Sequence, residues 1–290
     1  MPYVTIGISF KNNESTIENA VRSVFSQSFE DWELILVDDG SDDKSLDIVK
    51  KINDSRVKVL FDGKRKGLPA RLNQITSLAR GKYVARMDAD DIMHPERISK
   101  QVKFLDENPE IDVVGMPVYT IDDHTNLIGI SRNKEIDVNP KSVLRKGLLN
   151  HPSVMGKTKW FISNPYDESF LRSQDRELWA RTIKHSKFAK LEEPLFYKRE
   201  GKDQTISKYL ESTKSMRRIL LLHGPRLASK IEIMNIISVY YIKAFLFIIA
   251  SFLGLRKKMI ENRSTKINND QFENGLKSLE QVLNTQIPIE

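Results

Sequence analysis

The sequence predicts an α/β fold, a mostly parallel central sheet followed by a helical C-terminal region, and three observations carry that prediction. Over the first 115 residues short apolar runs alternate with amphipathic segments, which is the spacing of βαβ units. The run Leu34-Ile35-Leu36-Val37 is apolar at every position, as a strand covered on both faces must be. From Ser207 onward the pattern changes to long helices with basic breaks and no strand signal. The expected organisation is an α/β domain over residues 1–205 and a helical region over 206–290.

The elements follow in order. Val4 to Ser9 reads as the first strand. Ser15 with Glu18 three residues later forms a capping box, opening a helix that carries Ile17, Ala20, Val21 and Val24 on one face. Strands are expected at Leu34 to Val37 and Val57 to Leu60, then a helix from Leu68 to Ala79 closed by a left-handed glycine at Gly81. Tyr83 to Met87 is the next strand, and Pro95 starts a helix at its first position. Ile111 to Ile121 is strand-like, Asp122 to Asn126 a turn, and Leu127 to Ile130 a returning strand. Helices are expected over Pro140 to Lys146 and Arg176 to His185, with a last amphipathic one at about Phe272 to Leu283.

A chain of 290 residues that is 40% hydrophobic can fill a large core. It contains no cysteine, so disulfides and thiolate metal sites are excluded and a metal must be held by oxygen or histidine ligands. Met1 to Phe10 lack the parts of a secretory signal, which predicts a cytoplasmic chain. The net charge of +7 favours anionic partners. Its short basic clusters are not interleaved with aromatic residues, so nucleic acid is not expected among them.

Two acidic clusters stand directly after predicted strands, the edge at which parallel sheets bind ligands. Asp38-Asp39-Gly40-Ser41-Asp42-Asp43 offers carboxylates to a base or ribose, or a turn in which Ser41 or Asp42 caps the next helix. In Asp88-Ala89-Asp90-Asp91 three repelling carboxylates invite a hard divalent cation, with Asp88 facing a ribose and Asp90 the metal.

Together with Val4-Thr5-Ile6-Gly7-Ile8, Gly67-Leu68-Pro69-Ala70-Arg71-Leu72-Asn73 and the stretch from Ala79 to Met87, these clusters resemble family 2 glycosyltransferases of the GT-A fold over about residues 3 to 200. The resemblance implies inverting transfer of a hexosyl or N-acetylhexosaminyl group from a nucleotide-sugar donor, with Mg2+ or Mn2+ as cofactor. It implies nucleotide contacts at Asp38, Asp39, Arg71 and Asp88, with the metal at Asp90. Lys64, Arg65 and Lys66 are further candidates for the diphosphate. Two acids beside the base pocket favour uracil, hence UDP. Ser173-Gln174-Asp175-Arg176-Glu177-Leu178-Trp179 matches the family's acid pair and Leu-Trp helix, which makes Asp175 the base and puts Gln174 where an acid is usual. His151, in Asn150 to Met155, and Gln174 fall on the acceptor and sugar side. Trp160, Phe161 and Trp179 are expected in the core.

Ile236 to Leu255 holds one charge, Lys243, and is followed by Arg256-Lys257-Lys258. An interfacial helix on a membrane is expected, against burial in the domain, burial in a homodimer, or a span. With the resemblance it suggests a glycan or lipid-diphosphate-linked acceptor of surface polysaccharide assembly. The rival readings are a nucleotidyltransferase, whose glycine-rich loop after the first strand is missing, and a non-catalytic nucleotide-sugar-binding scaffold, which would not need Asp88, Asp90 and Asp175.

Overall fold

A computed structural model describes residues 1–131, 136–200, 205–253, 264–265 and 269–289. Seven strands form the main sheet in the order β10-β6-β9-β4-β1-β2-β3. They are β1 (Val4–Phe10), β2 (Trp32–Asp38), β3 (Val57–Leu60), β4 (Tyr83–Asp88), β6 (Val113–Gly115), β9 (Met155–Lys157) and β10 (Phe188–Lys190). All run parallel except β9, which is antiparallel to β4 and β6. The alternation of side chains splits β2 between two cores: Leu34 and Leu36 join one, Ile35 and Val37 the other. That is the physical reason its sequence is continuously apolar.

Helices α1 (Ile17–Phe25), α2 (Ser45–Lys50), α3 (Leu68–Leu78) and α4 (Arg97–Glu107) supply the crossovers. The expected capping box is not formed. Thr16 is the N-cap without a side-chain bond, and Glu18 instead pairs with Arg22 at 2.5 Å. α4 starts at Arg97, two residues past Pro95. Gly81 is not left-handed. It is required because a Cβ there would lie 2.5 Å from the Thr5 backbone nitrogen, so the chain enters β4 against β1.

The run Ile111 to Ile121 breaks at Met116, and its second half, β7 (Tyr119–Ile121), belongs to a second sheet with β8 (Leu127–Ser131), β5 (Ile92–Met93), β11 (Phe196–Arg199) and β12 (Ser264–Thr265). The β7–β8 pair is the expected hairpin. β12 is a strand the sequence did not announce: two residues carry no periodicity, and their antiparallel partner on β8 makes them a strand.

Helices α5 (Pro140–Arg145), α6 (Thr158–Ser163) and α7 (Gln174–Thr182) cover the second core together with α8 (Ile206–His223) and α9 (Lys230–Phe252). Ser229 and Glu232 form a reciprocal capping box at the start of α9. The last helix, α10 (Asn269–Leu283), packs Leu279 and Val282 against the second sheet. The cluster Arg256-Lys257-Lys258 lies outside the described residues.

Candidate active site

Two loops leave the carboxyl edge of the main sheet on either side of β1. Phe10 pairs with Asp38 and Ser9 with Asp88, so the two acids stand two strand spacings apart, about 10 Å. They stand at the edge where parallel strands present ligands.

On the β2 side both acids are buried. Asp38 accepts hydrogen bonds from the Ser41 amide, at 3.0 Å, and the Ser41 hydroxyl. Neither Ser41 nor Asp42 caps α2, because Asp42 is taken by Asn12. Asp39 accepts from the amides of Lys66, at 2.7 Å, and Gly67, at 3.0 Å, and from Arg71 Nε at 3.0 Å. Gly67 sits at φ 87°, a left-handed conformation that points its amide at Asp39.

Arg71 is committed to partners within the protein. Its side chain is fully buried, and beyond Asp39 its guanidinium serves Asp62, Gln74 and the Lys64 carbonyl. It shapes the loop by fixing Asp39. Lys66 is paired with Asp62 at 2.7 Å, whereas Lys64 and Arg65 are exposed.

On the β4 side Asp88, Asp90 and Asp91 bring carboxylate oxygens within 4.8 Å of one another. Arg86, buried, is ion-paired to Asp88 while its Nε and Nη1 have no partner among the described residues. Burial, then the charge of Asp88, pushes Asp90 above the usual carboxylate range. Burial and the charges of Asp90 and Asp88 raise Asp91 further. One Asp91 oxygen accepts from the Arg199 amide at 2.8 Å and the other has no partner among the described residues. Oxygen donors that repel one another at a strand end fit Mg2+ or Mn2+. Arg199, at the end of β11, also donates to the carbonyls of Asp90 and Asp122 and to Thr125, so it ties the acid loop to the hairpin turn. Nothing in the sequence flagged it, since its partners are brought to it by the second sheet and the hairpin turn.

The far wall comes from α7 and the short turn at His151–Ser153. Ser173, left-handed at φ 58°, precedes the helix, so Asp175 lies in its first turn rather than capping it. Asp175 is partly exposed and Gln174 is buried. Glu177 is neither a cleft acid nor a surface residue: it is buried between His223, at 2.9 Å, and Arg181. His151 is buried, its Nε2 2.8 Å from the Tyr166 hydroxyl. Burial and then the charge of Arg86 hold its imidazole well below the usual histidine range, so it is neutral. Tyr166 was not foreseen. Burial raises its hydroxyl pKa, and the charges of Arg86, Asp175 and Asp88 act on it. Trp160, Phe161 and Trp179 lie in the core, Trp160 stacked on Trp179 at 6.2 Å.

Acid loops at the carboxyl ends of β2 and β4, flanking the first strand of a mostly parallel sheet, define a nucleotide-sugar transferase of the GT-A fold. Residues 5–171 match the description "Glycosyl transferase family 2", and the chain belongs to that family. A glycosyltransferase of Methanocaldococcus jannaschii is 31% identical over 215 residues, 71% of this chain and 74% of the relative. The Escherichia coli enzyme WfgD, named a UDP-Glc:alpha-D-GlcNAc-diphosphoundecaprenol beta-1,3-glucosyltransferase, is 27% identical over 187 residues, 62% of this chain and 70% of its own. Among solved structures, S. aureus TarS 1-349 in complex with UDP-GlcNAc superposes with a TM-score of 0.63 at 17% identity, covering 97% of this chain and 81% of that one. The Pyrobaculum calidifontis mannosyltransferase PcManGT in complex with GDP-Man and Mn2+ gives 0.60 at 12% identity, covering 97% and 85%. The chain is thus a glycosyltransferase in class.

Proposed function

We propose that this chain transfers a hexosyl or N-acetylhexosaminyl group from a UDP-sugar, with inversion, to a hydroxyl of a lipid-diphosphate-linked glycan in bacterial surface polysaccharide assembly. The observation that carries the reading is the carboxylate cluster at the end of β4 in a family 2 chain. The named donor and acceptor of WfgD and the UDP-GlcNAc bound by TarS support the substrate classes. Such an acceptor puts the enzyme at the cytoplasmic face of a membrane.

Asp90 would hold Mg2+ or Mn2+, which would neutralise charge on the leaving diphosphate, with Asp88 beside it facing the ribose. The loops of Asp38 and Asp39 receive the base and ribose. Asp175 takes the proton of the acceptor hydroxyl as its oxygen bonds to the anomeric carbon. The carbon–oxygen bond to the diphosphate breaks on the opposite face, and its electron pair leaves with UDP. Neutral His151 and Gln174 lie on the sugar side, where they orient without adding charge.

The test is release of nucleoside diphosphate from a panel of nucleotide sugars with Mn2+, Mg2+ or EDTA, in wild type and Asp90→Ala. Metal-dependent release from one UDP-sugar, lost in the variant, is expected. Binding without turnover in the presence of a lipid-diphosphate glycan would instead mark a binding protein.

A further inference from the structure

The helix α9 is apolar all the way round. Its inner stripe, Ile233, Ile236, Ile237, Ala244 and Phe247, is buried against the domain, with Phe247 stacked on Tyr209 of α8 at 4.3 Å. That packing lays α9 along the molecule instead of leaving it free to cross a bilayer, although its 23 residues would reach about 35 Å. Its outer stripe is apolar too: Met234, Ile242, Phe245 and Phe252 are 57–82% exposed, and on α8 Leu221 and Leu222 are half exposed. A helix whose partner is water carries its polar residues on that side, and an apolar face of this extent marks a docking site.

Charge identifies what docks. Exposed Lys214 and Arg217 on α8 and Lys230 at the start of α9 flank the face, and Lys243 stands within it. The only acids of the two helices, Glu211 and Glu232, are already paired with Arg172 and Lys141. A cationic rim around an apolar stripe matches anionic headgroups over acyl chains. A symmetric contact with a second copy would set the same cations against one another. We infer that the outer faces of α8 and α9 dock this glycosyltransferase on an anionic lipid bilayer, with α9 in the interfacial plane.

The inner faces give docking a consequence for the site, resting on the lipid-linked acceptor proposed above. His223 of α8 bonds Glu177 at 2.9 Å, and Arg176 donates to the Tyr240 hydroxyl of α9 at 3.1 Å. Both α7 residues directly follow Asp175, so the docking helices and the proposed base form one packed unit. The bilayer then fixes the height of Asp175 above the headgroups that carry the acceptor.

The experiment is co-sedimentation of the full chain with vesicles of phosphatidylglycerol and phosphatidylcholine, and of phosphatidylcholine alone. Wild type is compared with Ile242→Glu/Phe245→Glu and with Lys214→Glu/Arg217→Glu. Wild type should bind the anionic vesicles, less as salt is raised, and each double variant should lose roughly tenfold or more of that binding. All four side chains are exposed, so unchanged melting temperatures are expected and exclude unfolding as the cause. Equal binding by wild type and both variants overturns the inference, as does no binding by wild type. A wild-type dimer that Ile242→Glu/Phe245→Glu converts to monomer, with no vesicle binding, assigns the face to a second copy and overturns it too. Vesicle binding is read without donor, so it stands or falls apart from the transfer chemistry.

Discussion

The two acidic loops leave the same edge of one sheet, one strand to either side of β1, yet their carboxylates are satisfied in opposite ways. After β2, Asp38 closes on Ser41, and Asp39 collects two backbone amides and the buried Arg71. After β4, three carboxylates crowd within 4.8 Å, with the buried Arg86 and Arg199 beside them and one oxygen of Asp91 without a partner among the described residues. Strand-end position brings acids to the ligand edge in both cases. Only the second loop crowds its carboxylates against one another, and there an external cation has most to contribute.

The largest expected effect tests that contrast directly. Asp90→Ala should cut transfer by about a thousandfold or more and remove any rise in melting temperature on adding Mn2+. Retained turnover would strike Asp90 from the metal site. Next, Asp175→Asn should lower kcat by roughly a hundredfold while donor KM is unchanged. Lost donor binding in that variant would show that α7 props the cleft and that Asp175 is structural.

Arg71→Ala probes the satisfied loop. It leaves Asp39 buried without its guanidinium, so urea unfolding should show a loss of about 3–5 kcal/mol. A loss below about 1 kcal/mol would mean the backbone amides alone hold Asp39.

Smaller is a pH effect of opposite sign at two neighbouring groups. Asp90 has a folded pKa above its unfolded one, so its contribution is favourable in acid and is lost as pH rises through the folded value. A bound cation removes that cost, and the gain in melting temperature from Mn2+ should therefore grow with pH. His94, just past β5, is pushed down to about 4 by burial. Its contribution is full above about pH 6.5 and is lost as pH falls towards 4. Melting curves from pH 4 to 8 with Mn2+ and with EDTA separate the two, and a metal gain independent of pH would break the account of Asp90. Tyr166→Phe should be the mildest, about 1 kcal/mol for the lost bond to His151, read by thermal unfolding.

Much of the fold was legible because its signals are local. Apolar runs gave β1, β2, β4 and the crossover helices, and acids directly after two strands gave the cleft. The errors also have local causes. Ser15 and Glu18 satisfy a capping pattern, but the helix begins one residue later and Arg22 takes the glutamate. Gly81 looks like a helix terminator, and its reason is the backbone of Thr5, distant in sequence. β12 was invisible because two residues have no period.

By itself the sequence determined which residue types stand at the strand ends and that no thiolate site exists, because alternation and composition are properties of the chain alone. Only the tertiary structure decided which of those charges are already answered. Arg71 is held by Asp39 and Asp62, and Glu177 by His223 of α8, all residues remote in sequence. Whether a buried charge is free or paired depends on groups brought together across the fold, and pairing across such distances leaves no mark in the local sequence.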